Sequence, residues 1–350
     1  MFPPPSKPQD ADSSIRLTDN DAALARLSAV QKGYLSDPFI RSLVPRAHLQ
    51  PSRPPLINVG TFVRTVAIDD LVEQWLSISS ETGTKCQIVS LGAGSDTRFW
   101  RIATGPLKDQ LAAYVEIDFP EVTTKKAMAI KKSKDLTAIF GDSNQIKLAQ
   151  GGVCLHAPNY HLLGADLRKS PSETLGSLIS PESGSLLDPS LPTLLLCECV
   201  LVYMSLAESS AILQWFGTYF KESVLGCVVY EMFGLDDAFG RVMVNNLKSR
   251  NVTLPGAEHS PDASVLPKRF LDLGFTTSRA LTLREIRRAY VDPKELERIS
   301  GLEMLDEVEE LELVLQHYAI ISSLTVPNRE DSRLWTRWVL KQKQSQSNED

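Results

Sequence analysis

"IVSLGAGSDTRFW", residues 88–100, carries a short apolar strand into Gly92-Ala93-Gly94 and then into polar residues. A turn that tight, straight after a buried strand, lets a ligand approach the backbone closely. It is not the full G-x-G-x-x-G fingerprint, because the third slot holds Thr97. That argues against a pyrophosphate-bearing dinucleotide. Outward from this turn, strand signals recur at 86–91, 112–117, 160–165, 193–200 and 226–233, separated by helix-like stretches such as "FPEVTTKKAMAIKKS" and "LAESSAILQWFGTYFK". Apolar strands alternating with helices predict a parallel sheet covered on both faces, an α/β fold of Rossmann-like type.

The first part of the chain is helical. Phe62, Val66, Leu71, Val72, Trp75 and Leu76 share one helical face, and "TDNDAALARLSAVQ" opens on cap residues. The domain plan is a disordered tail over 1–18, a helical extension or lid over 19–80, and a main domain over 81–325. The main domain carries an insertion at about 234–265, and a tail follows over 326–350. Strand-like "TTSRALTL" and "AIISSLTV" close the domain around an acidic helix, "LEMLDEVEELELVLQHY". The last segment begins as a short helix docking Trp335 and Trp338, and ends as a disordered tail.

The 350 residues are 43% apolar and 23% charged, with a net charge of −6. That balance argues against a nucleic-acid partner held by phosphate contacts. No apolar run approaches the length of a membrane span, and the N-terminus lacks the basic and apolar regions of a signal peptide. Cys86, Cys154, Cys197, Cys199 and Cys227 lie mostly in apolar, strand-like stretches, as reduced thiols do. Cys197 and Cys199 fall on one face of a predicted strand, with no second ligand pair, so no metal is expected. His48, His156, His161, His259 and His317 stand in no base motif, and a surface or structural role is expected for each. A cytoplasmic monomer is the expectation, with nuclear presence left open.

In an open parallel sheet, ligands sit beyond the carboxyl ends of the strands. There the sequence places Gly92 and Gly94, then Glu116-Ile117-Asp118, then Asp166-Leu167, then Glu198. Asp118 suits a ribose hydroxyl better than Glu116 does, Asp166 suits an adenine amino group, and Leu167 suits the ring. Three acids disfavour phosphate and favour a cation, such as the ammonium and sulfonium of S-adenosylmethionine. Each also has a plainer reading: the glycines as a tight turn only, Asp118 as a helix cap, Asp166 as a partner for Arg168. Glu198, inside an apolar strand, is hardest to explain so, because burying an unpaired carboxylate is costly.

"VRTVAID", "IVSLGAGSDTRFW", "YVEIDFPEVTTKKA", "GADLR" and "PTLLLCECVLVYM", in this order, resemble the leucine carboxyl methyltransferases. The similarity runs from about residue 24 to 325 and takes in "GYLSDPFI" and "RISGLEMLDEVEELELVLQHY". It implies a class I S-adenosylmethionine-dependent methyltransferase fold. The implied reaction is methylation of the C-terminal leucine carboxylate of the type 2A protein phosphatase catalytic subunit. The methyl ester would regulate phosphatase holoenzyme assembly, with S-adenosylhomocysteine as second product. A related branch that acts in transfer-RNA modification carries an extra repeat domain, for which this chain has no room.

The resemblance carries cofactor contacts onto Arg64, Gly92, Asp118, Asp166, Leu167 and Glu198, and a departure onto Arg26, where the family can have lysine. Arg64 and Arg26 are assigned to bind and orient the substrate carboxylate, and Tyr203 to donate one hydrogen bond to it. Glu198 is assigned to the amino group of the methionine moiety. Arg98 is a candidate for the cofactor carboxylate, with capping or surface pairing as its alternatives; Tyr230 and Glu231 are candidates for the acceptor pocket. An α-carboxyl group, with a pKa of about 3.3–3.7, is already ionised at neutral pH, so the reaction needs no general base. A small-molecule O-methyltransferase and a non-catalytic phosphatase-binding module are the alternatives.

Overall fold

The computed structural model describes residues 12–179, 184–257, 262–327 and 330–343. Its strands are β1 (Cys86–Leu91), β2 (Leu111–Asp118), β3 (Lys147–Ala149), β4 (Cys154–Ala157), β5 (Tyr160–Gly164), β6 (Thr193–Glu198), β7 (Leu225–Met232), β8 (Thr277–Thr282) and β9 (Tyr318–Thr325). They form one sheet in the order β3-β4-β5-β2-β1-β6-β7-β9-β8. Pairing is parallel from β5 through β7 and antiparallel at both flanks, where β9 inserts between β7 and β8. This is the Rossmann-like α/β architecture predicted from the strand pattern. The chain runs from β1 to one side and returns to β6 on the other. A crevice therefore opens at the carboxyl ends of β1 and β6.

Alternation along each strand feeds two cores. Ile88 and Tyr114 join Trp75, Phe99, Trp100 and Tyr160 on one face; Val89 and Val115 join Leu163, Leu195, Phe216 and Phe270 on the other. Local signals set the helix ends. Pro120 sits at the start of Pro120–Lys132 and Gly83, at φ 67°, ends Pro55–Thr82. Ser205 and Glu208 exchange capping bonds at the head of Leu206–Tyr219. Among the described residues no helix is long and apolar enough to cross a membrane.

The structure differs from the sequence reading in four places. The first helix is Ser13–Gln31, so residues 13–18 are helix rather than tail, and residues 1–11 lie outside the described residues. Strands β3 and β4 add to the predicted set: they are only three and four residues long, too short to set up a periodic signal, and β3 is also largely exposed. Strand β6 stops at Glu198 because Cys199 takes a left-handed φ of 54°. This turns Cys199 onto the face opposite Cys197, so the pair does not share one face. The acidic helix is Val308–Gln316, shorter at its head than its composition suggests.

Within 234–265, the helix Ala238–Lys248 is capped by Asp237, and Leu235, Val252 and Leu254 close a small core over Val202. Residues 330–337 form a 3-10 helix that docks Trp335 and Trp338 on Trp75, with ring centroids 4.4 and 5.2 Å away. The Trp338 indole also donates to the Leu71 carbonyl at 2.8 Å. Trp338→Ala is expected to cost about 3 kcal/mol, mainly from lost burial and ring packing on Trp75, with the extra indole hydrogen bond lost as well. Urea unfolding followed by far-UV circular dichroism checks this; an unshifted midpoint would show that the segment is not part of the cooperative unit.

Candidate active site

The glycine turn stands at the head of the crevice. Gly92 has φ 62°, and a Cβ there would lie 2.6 Å from a Val200 methyl; Gly94 has φ 47°. Both facts demand glycine. The Gly94 N–H donates to Asp118 at 2.7 Å, and the Phe119 N–H donates to the other carboxylate oxygen at 2.7 Å. Asp118 thus ties the end of β2 to the turn after β1, rather than capping the following helix. Burial pushes its carboxyl up to about 6, against the pull of those two N–H groups.

Glu198 receives Arg64 Nε at 2.7 Å on one oxygen and Arg98 at 3.0 Å on the other. Burial works to raise its pKa, but Arg64 and Arg98 outweigh it and hold the carboxyl below the ordinary range. The Arg64 guanidinium lies over the Tyr230 ring, 4.4 Å from its centroid, and Tyr230 stacks in turn on Tyr318 at 5.3 Å. Arg64 is therefore held by one nitrogen and one face. Among the described residues its terminal nitrogens make no other hydrogen bond. Arg98 is neither a cap nor a surface residue: it is 2% exposed and also binds Asp69 at 3.0 Å and Asp96 at 2.6 Å.

Around Gly92 and Asp118 a small cavity is walled by Phe119, Leu167, Tyr203 and Ile15. Tyr203 reaches Thr18 of the first helix. Asp166 accepts from the Arg168 backbone at 3.1 Å and from its guanidinium at 2.9 and 2.8 Å, and Arg168 also grips Asp12 at 2.7 Å. Asp19 accepts from the Ser95 N–H at 2.7 Å, beside Gly94. The first helix therefore forms one wall of the cavity. Ile15, Thr18 and Asp19 escape a sequence reading because "TDND" signals only a helix start.

The structure thus brings together Arg64, Gly92, Gly94, Asp118, Asp166, Leu167, Glu198 and Tyr203 at one end of the sheet. Other candidates stand apart. Arg26 is committed to Asp37 at 2.5 Å and reaches Thr65 at 3.4 Å; Asp37 also holds Thr97 at 2.5 Å. Arg26 therefore braces the helix start behind the glycine turn. Glu116 is fully buried against Lys126 at 2.5 Å and Tyr160 at 2.8 Å. Glu231 follows Tyr230 on a strand and so points to the opposite face, where it meets Arg269 at 3.3 Å instead of lining the crevice. Of the three acids expected to favour a cation, Glu198 and Asp166 each hold arginines, the latter as the pair with Arg168 that its plainer reading gave, and Asp118 is held by backbone N–H groups.

A larger groove, about 580 Å3, lies between Phe62, Tyr290 and Lys343. It lacks the strand-end glycine turn and strand-end acids of the crevice, and its Asp69 is already spent on Arg98 and Arg101. The chemistry-bearing residues therefore converge in the crevice, not there.

Comparison with known proteins places the chain in a family. A family model described as leucine carboxyl methyltransferase matches residues 14–217. Leucine carboxyl methyltransferase 1 of Cryptococcus neoformans var. neoformans serotype D is 46% identical, over 91% of this chain and 96% of its own length. The Aspergillus fumigatus protein of the same name is 38% identical, over 93% and 86%. The Arabidopsis thaliana leucine carboxyl methyltransferase 1 homolog is 37% identical, over 88% of each.

Proposed function

The chain belongs to the leucine carboxyl methyltransferase family and is a methyltransferase, and from that membership we propose its substrate and donor. The substrate is the C-terminal leucine α-carboxylate of the type 2A protein phosphatase catalytic subunit. The donor is S-adenosylmethionine, and the methyl ester formed regulates phosphatase assembly. The observation that carries this reading is Arg64: braced by Glu198 and Tyr230, it keeps its terminal nitrogens for a carboxylate at the mouth of the glycine crevice.

The residues present fit that donor. Gly92 and Asp118 line the small cavity, and among the described residues Asp118 is held by backbone N–H groups with no ion-pair partner, which suits it to ribose hydroxyls. Leu167 and Asp166 suit the adenine, and the Gly94 backbone and Glu198 suit the amino-acid end. S-adenosylmethionine, when bound, supplies an electrophilic methyl group on a sulfonium. The protein's part is to position a nucleophile that is already ionised. Too strong a cationic grip would blunt that nucleophile. Glu198 shares the Arg64 charge and moderates the grip, while Tyr203 adds a neutral donor. Excluding water favours a step in which opposite charges cancel, and the first helix and the 234–265 insertion are suited to that. The five cysteines are all free, which supports a reducing, cytoplasmic setting.

The test uses methyl-labelled S-adenosylmethionine with intact phosphatase catalytic subunit and with one lacking its final leucine. Base-labile label on the intact protein alone is the expected result. No label on either, with donor binding demonstrated separately, would turn the assignment to a small carboxylic acid.

Asp118 adds a pH prediction. Its folded pKa, about 6, lies above the ordinary 3.8, so protonation on acidification favours the folded chain, and the penalty of burying the charge returns as pH rises through 6. Donor binding needs the ionised form and runs the other way. Affinity for S-adenosylhomocysteine by calorimetry is expected to fall about tenfold between pH 7 and pH 5. Asp118→Asn should bind weakly and without that pH dependence; a wild-type affinity flat from pH 7 to 5 would remove Asp118 from the ribose.

A further inference from the structure

We propose that His156 and His161 form a two-histidine chelate for a borderline divalent transition ion, such as zinc or copper, far from the methyl-transfer crevice. The two residues face each other across the β4–β5 hairpin, in register as cross-strand partners. Their Nδ1 atoms are 3.2 Å apart, with ring centroids at 5.3 Å and planes inclined by 53°. Zinc–imidazole bonds are about 2.0–2.1 Å long, so an ion bound to both Nδ1 atoms at this spacing subtends an angle of about 100°, close to tetrahedral. The hairpin thus holds the two ligands at a chelating separation.

The surroundings favour ligation over some other use of the rings. Both histidines are half-buried, and among the described residues neither makes a further hydrogen bond. Their lateral neighbours in the sheet, Lys147 beside His156 and Val115 beside His161, offer no side-chain acceptor for a ring N–H. Imidazole suits zinc, copper and nickel rather than magnesium or calcium. Among the described residues no third histidine, cysteine or carboxylate completes a cluster; Cys154, on the same strand, is engaged with Gln150 at 3.5 Å. Water completes the coordination.

Binding transfers no electrons. In the free protein one Nδ1–H donates to the other Nδ1. On ligation that proton is exchanged through solvent to Nε2 of the same ring, and both Nδ1 lone pairs bind the ion. No net proton is released. The site tethers β4 to β5, the strand that leads directly to Asp166 and Leu167.

The sequence could not show this pair, because β4 is only four residues long, too short to predict the register that brings the histidines together.

The test titrates the full chain with zinc chloride by calorimetry at neutral pH, and repeats it with His156→Gln and His161→Gln. The expected result is one ion per chain for the wild type, with at least about tenfold weaker binding for each variant. Copper electron paramagnetic resonance should show two coordinated nitrogens, reduced to one in either variant. Unchanged thermal midpoints of the metal-free variants verify folding; if His161→Gln fails that check, His156→Gln decides alone. Wild-type protein that binds no zinc, or variants that bind it as tightly as the wild type, would overturn the site and leave a simple histidine–histidine hydrogen bond.

Discussion

Glu198→Gln is expected to lower kcat/KM about 100-fold and to cost about 3 kcal/mol of stability. Glu198 is the one carboxylate shared by Arg64 and Arg98, at 2.7 and 3.0 Å. Glutamine has nearly the same shape but presents an NH2 group to one of those cations. Arg98, 2% exposed, keeps Asp96 and Asp69; Arg64 keeps only the Tyr230 ring beneath it. The stability loss therefore reflects mainly one part-buried cation left without its counter-charge. The kinetic loss reflects an Arg64 free to shift by about an ångström, enough to misalign the acceptor carboxylate. Initial rates and urea midpoints check the two separately. Glu198→Asp separates charge from reach: it should recover more stability than turnover. Wild-type kcat/KM in the Glu198→Gln variant would mean that Arg64 does not orient the substrate.

Gly92→Ala is expected to abolish donor binding, by at least about 100-fold, and to cost about 4 kcal/mol. A left-handed φ of 62° costs an alanine roughly 1–2 kcal/mol. The new Cβ would also sit 2.6 Å from Cγ2 and 2.9 Å from Cβ of Val200. Val200 cannot swing away, because its Cβ is fixed to the backbone. The turn must move instead, and with it the N–H that Gly94 donates to Asp118. Calorimetry with S-adenosylhomocysteine and thermal unfolding check both effects. Adding Val200→Ala removes the 2.6 Å contact with Cγ2 but leaves the residue-200 Cβ at 2.9 Å and the strained φ, so the double variant should recover only part of the stability. Full recovery would show that sterics alone forbid a side chain at 92.

Much of this is legible in the sequence because it depends on local periodicity. The strands at 86–91 and 193–200, the glycine turn and the acids at Asp118, Asp166 and Glu198 fall at one end of a parallel sheet, since strand direction and the doubly wound topology put them there. Apart from Arg168 beside Asp166, their partners are not legible. Arg64 and Glu198 are separated by 134 positions, and nothing in either neighbourhood signals the other. Glu231 and Cys199 show the same limit at short range. Adjacency to Tyr230 suggests the crevice for Glu231, and strand alternation suggests the face of Cys197 for Cys199, but alternation at Glu231 and a left-handed turn at Cys199 send them to the opposite face.

The sheet, its two apolar faces, the family and the crevice at the strand ends are written in short stretches of sequence. All follow from side-chain periodicity, backbone sterics and motifs a few residues long. Apart from the local pair of Arg168 with Asp166, which charges meet is settled only by the packing of separate elements: Arg26 with Asp37, Arg168 with Asp12, Arg64 and Arg98 with Glu198. A buried charge is tolerated only where an opposite charge or a set of N–H donors comes within about 3 Å, and that depends on how separate elements pack rather than on the residues flanking the charge.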